Sequence, residues 1–310
     1  MNRCLAAMAA ALTMLVWPAF AQVQMVVNFA AGGPTDIVGR MMQNEMAAAL
    51  GQPVVVRNAT GAGGTIGTAE VARARPDGQT ILLSPVGPMA IQPHFRPGLG
   101  YGLQNFAAIC QVADSPVVMM TPKTSGLRTV ADVVARARAE GQGFPFASTG
   151  AGSIPHISNV ALMRLARIEM NHVPYRGSGE VMLAFQQGQV QLFTDQTLLI
   201  RQYDLHPIAF LTEARNPDFP EVPTMREQGY DLVYTIWTGL YAPAGTPEAT
   251  MARLEAACAR TMRHPDVVAG MTRVAQPILY RDRAAFTAFS ASESEKFRAL
   301  IAAAGLRSAE

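Results

Sequence analysis

The stretch "NFAAGGPTDIVGR", Asn28 to Arg40, holds the first residues whose types and spacing could do chemistry. An apolar run ends at Phe29; Gly32, Gly33, Pro34, Thr35 and Asp36 follow, and then a helical pattern begins. Glycines at such a junction let the backbone approach a ligand closely. Thr35 or Asp36 can cap the helix, and its free N–H groups and dipole make an anion site. A plain strand-to-helix turn carries the same signature. "TGAGGTIG" (60–67) invites a dinucleotide reading, but Gly61-x-Gly63 would need glycine or alanine where Ile66 stands. No lysine follows these glycines, which excludes a P-loop. "STGAGSIPH" (148–156) and "VPYRGSGE" (173–180) add the hydroxyls of Ser148, Thr149 and Ser178, with amides at Gly150, Gly152, Gly177 and Gly179.

Groups able to make or break bonds are scarce by comparison. Ser153 and His156 lie three apart, yet there is no G-x-S-x-G elbow and no acid placed to orient the histidine. His156 reads instead as a donor at a helix start. His94, His156, His172, His206 and His264 are scattered singly, without metal-ligand spacing, so no metal and no cofactor is expected. Glu180 and Asp195 are the one candidate carboxylate pair, and both also read as helix-start acids. The pattern is rich in anion-holding amides and poor in catalytic groups. It points to an anion that is held and not transformed.

The elements that must position these loops follow from periodicity. "QMVVNF" (24–29), "PVVVRN" (53–58) and "QTILLS" (79–84) read as strands, with helices over Asp36–Leu50 and Thr65–Ala74 between them. The same β-α-β-α-β order recurs in "FPFAST" (144–149), "NHVPY" (171–175) and "QVQLFTD" (189–195), with helices from about His156 to Arg167 and Glu180 to Gln187. A short helix after Asp195 and the strand "PIAFL" (207–211) follow. Such order implies parallel strands with right-handed crossovers, and ligand loops at the carboxyl edges. Two α/β lobes with facing loop edges are expected, crossed by the chain near 115–121 and 234–242. Thr246 as cap, Pro247 and Glu248 start a further helix, and a last helix over Asp282–Ala304 should pack on the first lobe.

The bulk numbers agree with this picture. The 310 residues are 49% hydrophobic and 15% charged, with net charge +2 and no basic block, so nucleic acid is excluded as a partner. Arg3, the uncharged run Cys4–Val16 and the triplet Ala19-Phe20-Ala21 form a signal peptide cut before Gln22. A soluble, exported, monomeric chain is expected. Export leaves Cys110 and Cys258, each in an apolar context without a neighbouring histidine or carboxylate. Two buried free thiols are the expected state, although the compartment permits a bridge.

At these motifs the sequence resembles the Bug family, the periplasmic solute receptors of tripartite tricarboxylate transporters. "NFAAGGPTDIVGR", "ALGQPVVVRNATGAGGTIG", "ARPDGQTILLSPVG", "FASTGAGSIPH", "HVPYRGSGE", "GQVQLFTD", "EVPTMREQGY" and "LYAPAGTP" carry the resemblance over almost the whole mature chain. It implies an α/β, two-lobed Venus-flytrap fold, each lobe a mostly parallel sheet flanked by helices. The divisions are 1–21 signal peptide, 22–120 with 238–310 as lobe 1, and 121–237 as lobe 2. It implies no catalysis, a small carboxylate ligand (a di- or tricarboxylate, an acidic amino acid or an aromatic acid) and transporter membrane subunits as partners. An exported enzyme acting on a carboxylate and a sensor feeding a signalling kinase are the alternatives. The implied ligand contacts in lobe 1 are Phe29, Ala31, Gly32, Gly33, Thr35 and Asp36, then Gly63, Gly64 and Thr65, then Val86 and Gly87. From lobe 2 come Ser148, Thr149, Gly150, Ala151, Gly152, His156, Tyr175, Ser178 and Asp195. The sequence departs from the family pattern at Arg57, Pro88 and Glu180; the last two bear on ligand identity. Glu180 and Asp195 both facing the cleft would favour a mono- or dicarboxylate over a tricarboxylate.

Overall fold

The computed structural model describes residues 22–96 and 98–305; the signal-peptide reading of residues 1–21 lies outside them. β1 (Val23–Val27), β2 (Val54–Asn58) and β3 (Thr80–Pro85) form a parallel set in the spatial order β2-β1-β3. β1 is almost wholly buried, which suits a sequence apolar at every position but Gln24. The crossovers are α1 (Pro34–Leu50) and α2 (Thr65–Ala72). α1 turns Val38, Met42 and Met46 inward at helical spacing and ends at Gly51, whose φ of 66° is left-handed.

After β3 comes a π-helical turn over Gly87–Ile91, then the short α3 (Gln92–Phe95). β4 (Phe106–Thr121) follows, a strand of 16 residues, far longer than the sequence pattern indicated. α4 (Val130–Glu140) begins with a capping box between Thr129 and Asp132. A second parallel set repeats the first: β5 (Pro145–Ser148), β6 (Asn171–Pro174) and β7 (Leu192–Gln196), in the order β6-β5-β7. Its crossovers are α5 (Ile154–Ala166) and α6 (Ser178–Gln186). α7 (Leu198–Tyr203) and β8 (His206–Phe210) complete this half.

β9 (Thr235–Pro243) then runs antiparallel between β3 and β4. α8 (Glu248–Met262), α9 (Pro265–Arg273), β10 (Ile278–Arg281) and α10 (Arg283–Ala304) end the described chain. α10 lies against β4, the π-helical turn and α3. The result is one curled, mixed sheet of 10 strands flanked by helices. β4 pairs with β9 as far as Pro116, and from Val117 onward with β7 and β8. The changeover falls at the proline, which has no N–H to continue a ladder.

Local caps differ from expectation. The N-cap of α1 is Gly33, because Pro34 takes the first helical position; neither Thr35 nor Asp36 caps it. Pro247 occupies the cap position of α8, and the Thr246 hydroxyl donates to the Pro243 carbonyl at 2.8 Å.

The two thiols require a correction. Cys110 and Cys258 are joined in a disulfide, with Cα atoms 6.7 Å apart and a sequence separation of 148. The free-thiol reading rested on each cysteine's local apolar context. α8 packs across β4, and that packing alone brings the sulfurs together. A bridge closing so long a loop stabilises mainly by restricting the unfolded chain, by about 2–4 kcal/mol. Replacing both cysteines with alanine should therefore lower the denaturation free energy of oxidised protein by about that amount, read from urea titration. A double variant as stable as the parent would show that the bridge does not constrain the unfolded chain.

Candidate functional site

The loops after β1 and β3 face those after β5, β6 and β7 across a narrow cleft. Phe29, Gly33, Pro34, Thr35, Pro85, Val86 and Gly87 line one side; Thr149, Ser153, Ile154, Pro155, Ser178, Asp195 and Gln196 line the other, and Ile236 of β9 closes the end. α1, α5 and α6 all begin at this cleft. Each contributes first-turn N–H groups without partners inside the helix and the positive end of its dipole. Among the described residues no lysine, arginine or histidine lines the space.

The Asn28–Arg40 stretch is held from behind. Asp36 is buried, and its Oδ2 accepts from Gly32 N at 2.9 Å and Arg40 Nε at 2.9 Å. Its Oδ1 accepts from Asn58 Nδ2 at 2.9 Å, and the same amide donates to the Phe29 carbonyl. Burial works against its charge, but the bonds from Arg40, Gly32 and Asn58 win, and its pKa is lowered. Asp36 thus fixes the loop as an anion and is turned away from the cleft. Asn28, fully buried, donates to Thr68 Oγ1 and Ser84 Oγ at 2.8 Å each, tying the first loop to the second and third.

Of the residues named from sequence, Phe29, Gly33, Thr35, Val86, Gly87, Thr149, Ser178 and Asp195 line the cleft. Ala31, Gly32, Asp36, Gly63, Gly64, Thr65, Ser148, Gly150, Ala151, Gly152, His156 and Tyr175 do not. Several of these bring the two loop sets into contact instead. A Cβ on Gly150 would lie 2.7 Å from Gly63 Cα, and one on Gly177 would lie 2.8 Å from Ala30 Cβ. Beside the first pair, Gln92 Nε2 donates to the Ala151 carbonyl at 2.6 Å. Gly64, at φ 88°, leaves room for the Phe29 ring and for Pro88. Thr65 Oγ1 donates to the Ala62 carbonyl at 3.0 Å, and Tyr175 N donates to the Ser148 carbonyl at 2.9 Å.

Two of the histidines form a half-buried pair behind the 148–152 loop. His156 and His172 have ring centroids 4.2 Å apart. Burial depresses both, to about 3 for His156, with His172 adding to the effect, and about 4 for His172. Both are neutral near pH 7. His156 Nδ1 accepts from Gly152 N at 3.1 Å, so this atom is an acceptor and not the helix-start donor expected. His172 Nε2 shares a 2.6 Å hydrogen bond with Ser148 Oγ. The Ser153 hydroxyl donates to the Gly150 carbonyl at 2.7 Å, so Ser153 and His156 are not a nucleophile–base pair.

The carboxylates also separate. Glu180 is partly exposed, paired with Arg176 Nε at 3.1 Å and accepting from Arg176 N at 3.0 Å. Asp195 lines the cleft; Ser178 Oγ donates to its Oδ2 at 2.5 Å and Gln196 N to its Oδ1 at 2.9 Å. Burial pushes Asp195 up to about 6, against those two bonds. Pro34, Pro85, Ser153, Ile154 and Pro155 also line it and lie within the loops that the resemblance implied, Phe29–Asp36, Ser84–Met89 and Ser148–His156; Gln196 and Ile236 were missed. Pro34 and Pro155 were visible as first-turn prolines. Nothing local marked Ile236, which arrives from a distant strand.

The family described as "tripartite tricarboxylate transporter family receptor" has a sequence profile that matches residues 38–306. Protein BugT of Bordetella pertussis is 34% identical over 231 residues, 72% of this chain and 71% of BugT. The periplasmic binding protein BugD has a similar structure, with TM-score 0.87 and 31% identity, covering 92% of this chain and 98% of BugD. MatC from Rhodopseudomonas palustris, solved with bound malate, gives TM-score 0.85 and 30% identity, covering 90% and 98%. The two-lobed periplasmic-binding-protein architecture is therefore the fold of this protein. No described helix is long and apolar enough to cross a membrane. Matched along most of its length by the family profile and sharing the fold of two such proteins, the chain belongs to the TctC family of tripartite tricarboxylate transporter receptors.

Proposed function

We propose that the protein is a periplasmic receptor that holds a small carboxylate between its lobes and delivers it to the membrane subunits of a tripartite tricarboxylate transporter. The observation that carries this reading is the convergence of three helix N-termini on a cleft without a basic side chain. Backbone N–H groups then supply the hydrogen bonds. A hydrogen bond to a charged group contributes about 1.5–3 kcal/mol, so two or three account for much of a micromolar affinity of about 8 kcal/mol. MatC, with bound malate, supports the carboxylate class.

In this reading lobe 1 comprises residues 22–120 and 238–310, and lobe 2 residues 121–237. Contacts from both lobes to one ligand favour the closed arrangement. The Ala19-Phe20-Ala21 triplet directs export. N-terminal sequencing of the periplasmic fraction should read from Gln22. Recovery of an intact Met1 terminus in the membrane fraction would remove the export step.

Gly33 has φ −82° and ψ 168°, a conformation open to any residue, and it caps α1. Aspartate there is a good N-cap, so Gly33→Asp should fold. Its carboxylate would occupy the amides meant for the ligand. Calorimetry with malate, or with the tightest acid of a carboxylate panel, should show at least about a hundredfold loss, near 2.7 kcal/mol. Arg176, exposed and paired with Glu180, should tolerate glutamine with less than about a threefold change. The opposite ranking would mean that a side-chain cation holds the ligand.

Asp195 supplies a pH test. Its pKa of about 6, raised by burial, rises further when an anion lies beside it. Binding then takes up a proton, so affinity is highest below about pH 6 and falls as pH rises toward 8. Asp195→Asn should flatten this dependence. A parent protein with equal affinity at pH 6 and pH 8 would place the anion away from Asp195.

A further inference from the structure

Beside the cleft, α3 of the proposed lobe 1 lies against the 150–152 loop of lobe 2. Gln92, the first residue of α3, is fully buried there and is not among the residues that line the cleft. Its Nε2 donates to the Ala151 carbonyl at 2.6 Å. Two glycines make room for this carboxamide. A Cβ on Gly63 would lie 2.6 Å from Nε2, and one on Gly152 would lie 2.7 Å from it. Both glycines have left-handed φ, 67° and 78°. Phe95, three residues on, packs in the same seam, its ring edge-on to His156 at a centroid distance of 6.0 Å.

The loop that Gln92 holds leads directly into the ligand site. The Gly150 carbonyl accepts from Ser153 N at 3.2 Å and from Ser153 Oγ at 2.7 Å. Ser153 is the N-cap of α5, and the first turn of that helix lines the cleft. Gln92 is therefore bonded two residues before the cap of a helix that presents its amides to the cleft. With the lobes apart, the Gln92 carboxamide and the Ala151 carbonyl would each turn to water, so their bond belongs to the closed arrangement alone. Gln92 Oε1 finds no partner among the described residues. That cost also falls on the closed arrangement, and it keeps the seam weak enough to reopen.

We infer that Gln92 is a positioning residue for ligand capture: through Ala151 it latches the two lobes together and touches no ligand. The inference rests on the carboxylate-receptor function proposed above. A contact made only in the closed state raises the population of that state, and apparent affinity scales with the population competent to bind. Losing the latch therefore weakens every ligand by the same factor, whatever its length or charge. A residue that contacts the ligand would instead change the ranking of ligands. A residue that only supports α3 would lower the stability of the ligand-free chain.

Gln92→Asn tests this on the mature chain. It keeps the carboxamide and its neutrality but is one methylene too short to reach Ala151. Calorimetry at pH 7 with malate, adipate, citrate and benzoate should show each acid that the parent binds weakened by about tenfold, with the factors agreeing within about threefold. Urea denaturation without ligand should give the parent's midpoint. Gln92→Ser, checked by circular dichroism, stands in if asparagine disturbs α3. Unchanged affinity, losses that differ widely between acids, or a lowered midpoint of the ligand-free variant each overturn the latch and leave the receptor reading intact. A folded parent protein that binds none of the four acids overturns the receptor reading, and the latch with it.

Discussion

A single strand, β4, serves both halves of the sheet, and its changeover at Pro116 governs the rest of the architecture. Before the proline the strand's ladder runs to β9; after it the ladder runs to β7 and β8. Because one continuous backbone belongs to both sets, the two parallel sets of strands point their carboxyl ends toward a common space. Open α/β sheets place loops and helix starts at those edges. Leu211 N donates to the Val117 carbonyl and Tyr234 N to the Leu211 carbonyl, so the return crossing is stitched to the same place. Gln276 Nε2, bonded to Ser115 Oγ, adds a third segment there.

The electrostatics of the cleft follow from that convergence. Three helices begin at one small volume, and each brings a partial positive charge fixed by its backbone. A lysine or arginine in this narrow, largely apolar space would itself need desolvating. Backbone amides are fixed in place by the helix and carry no formal charge, so they offer positive potential without the desolvation cost of an ionised side chain. Asp36 shows the complementary arrangement. Its negative charge is spent on the loop that presents those amides, through Gly32, Arg40 and Asn58. The loop is rigid because its anchor is buried and fully bonded.

The glycines divide into two kinds by what a Cβ would meet. Gly33 and Gly87 border the cleft. Gly63, Gly150 and Gly177 instead let two backbones touch across the gap between the lobes. Gln92 threads this contact: a Cβ on Gly63 would sit 2.6 Å from its Nε2, and one on Gly152 would sit 2.7 Å from the same atom. A hydrogen bond from Gln92 to Ala151 lies in this seam, part-buried. An interior of low dielectric strengthens every polar contact inside it.

The sequence by itself determined the local elements and the chemical character of the site. Apolar runs bounded by glycines became β1, β2, β3, β5 and β7, and 3.6-residue spacing became α1, α2, α5 and α10, because these signals depend on near neighbours only. The glycine loops were legible for the same reason, as were Phe29, Gly33, Ser178 and Asp195 on the cleft. Tertiary structure decided what depends on distant partners. It extended β4 through both halves, since its pairing residues lie in β9, β7 and β8. It joined Cys110 to Cys258, turned Asp36 and Glu180 out of the cleft, and brought Gln196 and Ile236 into it. A residue's type fixes which bonds it can make, but only the packed fold sets which groups come within reach, and so which glycine borders the cleft and which touches the opposing lobe.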